Sequence, residues 1–188
     1  MKSTQLLAVA AATTALTVVG ANLVSAQDAG DKYALAVPGG LAFSEFRGYE
    51  DWAVISIGHT DELVKAILGN PVVIDAFRAG VPANGKPFPD GSKMAKVEWK
   101  PQKQLEAPYE FRMPGAIYDL DFMVKDARRF PDGNGWGYAV FVYDAATDSY
   151  KPGTQDHRPP QANDAKCGVA CHTIVKDKDF VFTSYARR

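Results

Sequence analysis

Three stretches of this chain alternate with a period of two: Lys93 to Trp99, Ile117 to Lys125 and Trp136 to Tyr143, with Trp52 to Ile57 a fourth upstream. That period sends successive side chains to opposite faces of a strand, so the centre of the chain is committed to sheet. The turn-forming run Pro131-Asp132-Gly133-Asn134-Gly135 separates the last pair at hairpin distance, and the natural arrangement is antiparallel. In the second strand Tyr118, Leu120, Phe122 and Val124 share one face, leaving Asp119, Asp121 and Met123 on the other. The first divides in the same way, with Ala95, Val97 and Trp99 opposing Met94, Lys96 and Glu98. Lys96 and Asp121 thus occupy the less apolar faces of two strands that are candidates for neighbours. Periodicity by itself reads that face as solvated.

Around the strands, Thr60 followed by Asp61-Glu62 has the form of a helix start, and a helix is expected through Leu63, Ile67 and Leu68 to Gly69, with His59 at its opening. A second short helix is expected from Pro71 to Ala79, with proline in the first turn and Gly80 at the left-handed cap. The Pro, Gly and Asn content from Val81 to Gly91 marks a loop, and Lys151 to Asn163, with Pro152, Pro159 and Pro160, reads as a long surface connection. With 46% hydrophobic and 23% charged residues and no internal repeat, the composition is that of one globular domain. The expected fold class is α+β, mainly β: an antiparallel sheet with short flanking helices and a C-terminal segment carrying the cysteines.

Residues 1–26 stand outside that domain. Lys2 supplies a positive start, Leu6 to Val19 an apolar stretch broken by threonines, and Val24-Ser25-Ala26 a small-residue cleavage site. This is the pattern of a secretory signal peptide; a membrane span needs about 20 mostly apolar residues, and the threonines make this stretch a poor one. The reading is a signal peptide at 1–26 and a functional domain at 27–188, exported to an oxidising compartment and free of the membrane once cleaved. Twenty-one basic against 22 acidic residues give a formal charge of −1. No positive surplus is present to neutralise a phosphate backbone, so nucleic acid is not expected as a partner.

Both cysteines lie in Cys167-Gly168-Val169-Ala170-Cys171-His172. In c-type haem attachment two thiols add across the porphyrin vinyl groups and the adjoining imidazole meets the iron. The usual pattern has two residues between the cysteines and this one has three. A disulfide closing a small loop is the alternative for an exported protein, but it leaves His172 without a role. Zinc would need further ligands, and His59 and His157 fall in surface contexts; a thioredoxin-like redox pair lacks its strand-then-helix setting.

The same segment, continued by Asp179-Phe180-Val181-Phe182-Thr183, resembles the end of the cytochrome P-460 family. So do Val124-Lys125-Asp126-Ala127-Arg128-Arg129-Phe130 leading to Gly135-Trp136-Gly137-Tyr138, and Phe88-Pro89-Asp90-Gly91 ahead of the strand with Lys96. With the Trp52 region these span most of residues 27–188 in the family's order. The resemblance implies a periplasmic mono-haem c-type cytochrome, usually a homodimer, that takes a small nitrogen-oxide substrate or gas ligand and passes electrons to a soluble partner. It implies Cys167 and Cys171 as thioether attachment points and His172 as the ligand to iron. A lysine joined covalently to a haem meso carbon matches Lys96, with Lys93 as the nearby competitor, and a carboxylate above the iron, usually glutamate, matches Asp121. An arginine of some members matches Lys65, and an ammonium does not replace a planar fork. The implied activity is oxidation of hydroxylamine, with or without nitric oxide, toward nitrous oxide. The alternative is a non-enzymatic nitric-oxide-binding or electron-transfer cytochrome of the c′-beta type. A lysine moved from water into such a pocket is expected to have its pKa lowered by burial.

Overall fold

A computed structural model describes residues 31–37, 40–106, 108–109, 111–153 and 166–186, without the side chains of 166 and 167. The proposed signal peptide, His157 and most of the Lys151 to Asn163 connection lie outside the described residues. Six strands form one antiparallel sheet in which every neighbour in sequence is a neighbour in space: β1 (Ala53–His59), β2 (Val64–Gly69), β3 (Lys93–Lys103), β4 (Arg112–Lys125), β5 (Trp136–Asp144) and β6 (Ser149–Pro152). Two short α-helices flank it, α1 (Pro71–Arg78) and α2 (Lys166–His172). Among the described residues no helix is long and apolar enough to cross a membrane. The expected class, mainly β with short helices, is the observed one.

The helix expected after Thr60 is instead β2, and His59 ends β1. Thr60 Oγ1 accepts from the amides of Glu62 and Leu63 at 3.3 and 3.1 Å, and the Thr60 amide donates to Leu63 O at 2.8 Å. A hydroxyl bonded to amides two and three residues on starts a helix or closes a turn equally well. The sheet decides between them, because β2 fills the place between β1 and β3, pairing Ile67 with Ser56 on one side and with Lys96 on the other. The second helix forms as expected. Asn70 caps it by accepting from the Val73 amide at 3.1 Å, Pro71 occupies the first turn, and Gly80 takes φ +89° just beyond its end. Strand β6 arises inside the stretch expected to be irregular, where Tyr150 pairs with Tyr143.

Both faces of the sheet are covered. On one, Ala95, Val97, Leu120, Phe122, Val124, Ala139 and Phe141 meet Phe43, Phe46 and Tyr49 from the N-terminal segment. Phe46 stacks on Phe122 at 4.1 Å and Phe43 lies 4.8 Å from Phe141; truncating a buried ring of this kind costs about 3–5 kcal/mol. On the other face Met94, Met123, Trp136 and Tyr138 join Val73 and Ile74 of α1 and Val181 of the C-terminal segment. That second layer is incomplete, and the gap in it is the site.

Candidate functional site

A cavity of about 450 Å³ opens between the second sheet face and the C-terminal segment, lined by Ile57, Ile67, Met94, Met123, Val140, Val181 and Phe182 together with Lys65, Lys96, Asp121, Tyr138, Cys171 and His172. Its size and mostly apolar wall with a few convergent polar groups are those of a ligand site. The sheet wall is the face that periodicity assigned to solvent. Period two establishes which residues share a face and says nothing of what covers it; here Glu98 is 5% and Asp119 2% exposed.

The register places Lys96 opposite Asp121 and Glu98 opposite Asp119 and Lys65. Lys96 Nζ lies 2.6 Å from Asp121 Oδ2 and 3.4 Å from Glu98 Oε2, and Lys65 Nζ lies 3.2 Å from Glu98 Oε1. Two lysines therefore share three carboxyl groups. Burial, the neighbouring Asp121 and a hydrogen bond with Glu98 push Asp119 up to about 9, which favours its protonated form at neutral pH. Burial alone would raise Glu98, but Lys96, Asp119 and Lys65 outweigh it and hold that carboxyl below its ordinary range. Lys96 behaves contrary to the expectation from burial. Desolvation does disfavour its ammonium, yet Asp121, then Glu98 and Asp119 outweigh that and hold the group above the ordinary lysine range.

The competitor Lys93 points away from the cavity. Its Nζ donates to Glu45 O at 2.6 Å and sits 5.6 Å from the Phe46 ring centre, in the first core layer.

The opposite wall is α2. A helix brings residues four apart onto one face, which is where its backbone puts positions 167 and 171; Cys171 is a free thiol at the cavity. Helix α2 approaches β5 so closely that a Cβ on Gly168 would lie 2.2 Å from Tyr138 Cγ. His172 ends the helix with its ring 4.7 Å from Tyr138 and 5.0 Å from Phe182. Its Nδ1 lies 2.6 Å from Phe180 O. A carbonyl only accepts, so Nδ1 carries the proton and Nε2 keeps its lone pair. Burial lowers the His172 pKa and Lys96 adds to this, against the opposing effect of the Phe180 bond; a neutral imidazole is the form that ligates metal.

The profile of the family described as Cytochrome P460 matches residues 46–183, from the aromatic core to the end of the cavity wall. The chain belongs to the cytochrome P460 family. Compared with curated proteins it matches none. Membership makes it a haem-binding cytochrome of the P460 and c′-beta kind, and the residues present fit such a group. A neutral imidazole with Nδ1 engaged is prepared for coordination, and the wall is apolar. The Tyr138 hydroxyl at the cavity is buried with no hydrogen-bond partner among the described residues, as a P460 protein that encloses a further polar group would leave it. Sequence reasoning missed Tyr138, the Phe180 carbonyl and Asp119. Asp119 carried a signal, since it stands two residues from Asp121 on the same strand face; Tyr138 depends on packing between distant segments, and the Phe180 carbonyl on the turn that follows His172.

Proposed function

We propose that the chain is exported to the periplasm, loses residues 1–26, and works there as a mono-haem c-type cytochrome that oxidises hydroxylamine, alone or with nitric oxide, toward nitrous oxide. The observation that carries this reading is the Lys96 to Asp121 contact of 2.6 Å on the wall of the cavity that His172 enters. Cys167 and Cys171 would hold the haem through thioethers and His172 Nε2 would coordinate it. When bound, the haem supplies a redox-active iron with a position open to a small nitrogen ligand.

The protein's own contribution is proton handling and enclosure. Two hydroxylamines yield one nitrous oxide, one water, four protons and four electrons, so a base beside the substrate is required. Asp121, 2.6 Å from Lys96 Nζ on the cavity wall, is that base. The electrons pass to a soluble one-electron acceptor protein. Lys96 matches the lysine that the family joins covalently to haem, and Asp121 is the carboxylate beside its amine. The gas-binding alternative calls for a pocket without a base, and this charged wall does not favour it. The homodimer implied by the resemblance belongs to the same proposal.

The test is turnover of hydroxylamine by the purified holoprotein with a one-electron acceptor. Nitrous oxide should form, and Asp121→Asn should lower kcat by about 10²–10⁴-fold, the contribution of a positioned base. A holoprotein that binds nitric oxide but leaves hydroxylamine unconsumed would assign it to the c′-beta kind.

A further inference from the structure

The hydrogen bond that fixes His172 comes from an unusual stretch of backbone. Following the 3₁₀ turn Thr173–Lys178, Asp179 and Phe180 both take left-handed conformations, with φ +48° and +65°. Two successive residues with side chains in that region are uncommon, and such a conformation persists only where the surroundings over-determine it.

Three segments distant in sequence converge on Asp179, through Lys125, Phe88 and Trp136. Its Oδ1 and Oδ2 accept from Lys125 Nζ at 2.8 and 3.1 Å, and Oδ2 also accepts from the Phe88 amide at 2.7 Å. Its carbonyl accepts from Trp136 Nε1 at 2.9 Å. Lys125 is held in turn, donating to Asn134 O at 3.0 Å and lying 5.1 Å from the Trp136 ring centre. The side chains of Lys125 and Asp179 are 8% and 12% exposed, so the pair acts with little screening by solvent. The carbonyl one residue further on is the one that accepts the His172 Nδ1 proton at 2.6 Å.

We propose that Asp179, clamped by Lys125, is a positioning residue for His172: the buried pair sets the backbone through Asp179 and Phe180 so that the Phe180 carbonyl fixes the imidazole's tautomer, orientation and donor strength toward iron. This rests on the reading of His172 as the haem ligand. Partners of this kind beyond the ligand itself orient a metal-bound histidine and tune its basicity. Neither Lys125 nor Asp179 lines the cavity, so on this proposal the pair acts through the histidine.

The experiment is resonance Raman and redox titration of the ferrous and ferric holoprotein, with Asp179→Asn against the parent. Asparagine keeps the size and an acceptor for the Phe88 amide while removing the ion pair. A weakened bond to Nδ1 makes the imidazole a poorer donor, so the iron–histidine stretch should move to lower frequency and the reduction potential should rise, with far-UV circular dichroism unchanged. Lys93→Met, which perturbs the other core layer, should move neither. Should Asp179→Asn fail to fold, Lys125→Gln and Lys125→Arg carry the same test, with a shift expected in the first and none in the second. An iron–histidine stretch present in the parent and unmoved in the folded variants would overturn the proposal and leave the pair a clamp for the C-terminal segment. No iron–histidine stretch in the parent would overturn the assignment of His172 and this proposal with it.

Discussion

Replacing Gly168 by alanine sets two effects of opposite sign against each other, and the structure decides which wins. Alanine is better than glycine inside a helix by about 1 kcal/mol, and less is expected here because α2 has only seven residues, Lys166–His172, with position 168 in its first turn. Against this, the new methyl carbon would sit 2.2, 2.5 and 2.7 Å from Tyr138 Cγ, Cβ and Cδ2, where carbon atoms rest at about 3.5–4.0 Å. Relief requires α2 to rise by about 1 Å or Tyr138 to leave its rotamer, but Tyr138 is 6% exposed and its ring abuts His172. Overpacking of this kind costs about 1–3 kcal/mol, so Gly168→Ala should be destabilising by about 1–2 kcal/mol net, despite its helix propensity. Chemical denaturation of the holoprotein should show a lower midpoint with an unchanged slope. Because His172 rides on the same helix, the ferric absorption spectrum should also change. A variant as stable as the parent, with an unaltered spectrum, would refute the close approach of α2 to β5.

Lys96→Leu should convert a red-shifted absorption spectrum to that of an ordinary c-type haem and abolish hydroxylamine oxidation, whereas Lys93→Met, acting in the other core layer, should leave the spectrum as it is. Infrared spectra at pH 7 should show the carbonyl stretch of a protonated carboxylic acid that disappears as pH rises through about 9 and is missing in Asp119→Asn. The linked stability effect has a definite sign. The folded-state pKa of Asp119 lies above its unfolded value, so its contribution is complete below about pH 4 and is lost as pH rises through about 9. Asp119→Asn should therefore flatten the fall in stability on the alkaline side, and denaturation midpoints across pH 6 to 10 would reveal a slope unchanged by the substitution if Asp119 were ionised at neutrality. For the cysteines, both Cys167→Ala and Cys171→Ala should retain haem by a single thioether; full covalent attachment in Cys167→Ala with complete loss in Cys171→Ala would mean that the longer spacing leaves one bond.

The sheet was legible because alternation over Lys93 to Trp99, Ile117 to Lys125 and Trp136 to Tyr143 is a local property, and the Asp-Gly-Asn-Gly turn brings the last two together. The same arithmetic put Lys96 and Asp121 on the less apolar faces of candidate neighbours, and the register that sets them opposite one another came from the structure. Thr60 misled because its side-chain bonds to following amides look alike in a helix start and a tight turn, and only the vacancy between β1 and β3 selects the strand. The cavity face was read as solvated because a charged residue on a strand has no local signature of burial. Glu98 and Asp119 are nonetheless buried and remain tolerable there through Lys65, Lys96 and a shared proton. The Cys-His segment was conspicuous in the sequence, whereas the device that orients it was not. Asp179 is an ordinary acidic residue until Lys125, Phe88 and Trp136 converge on it.

The central claim is that this cavity holds a haem bound covalently by the 167 to 172 segment and facing Lys96. The most direct measurement is mass spectrometry of haem-containing peptides from a proteolytic digest of holoprotein from which acid acetone has removed any loosely held haem. The account predicts a haem joined to a peptide containing Cys167 and Cys171 and, through a further bond, to the peptide containing Lys96. A digest in which both cysteine thiols are unmodified and no peptide carries haem would contradict it.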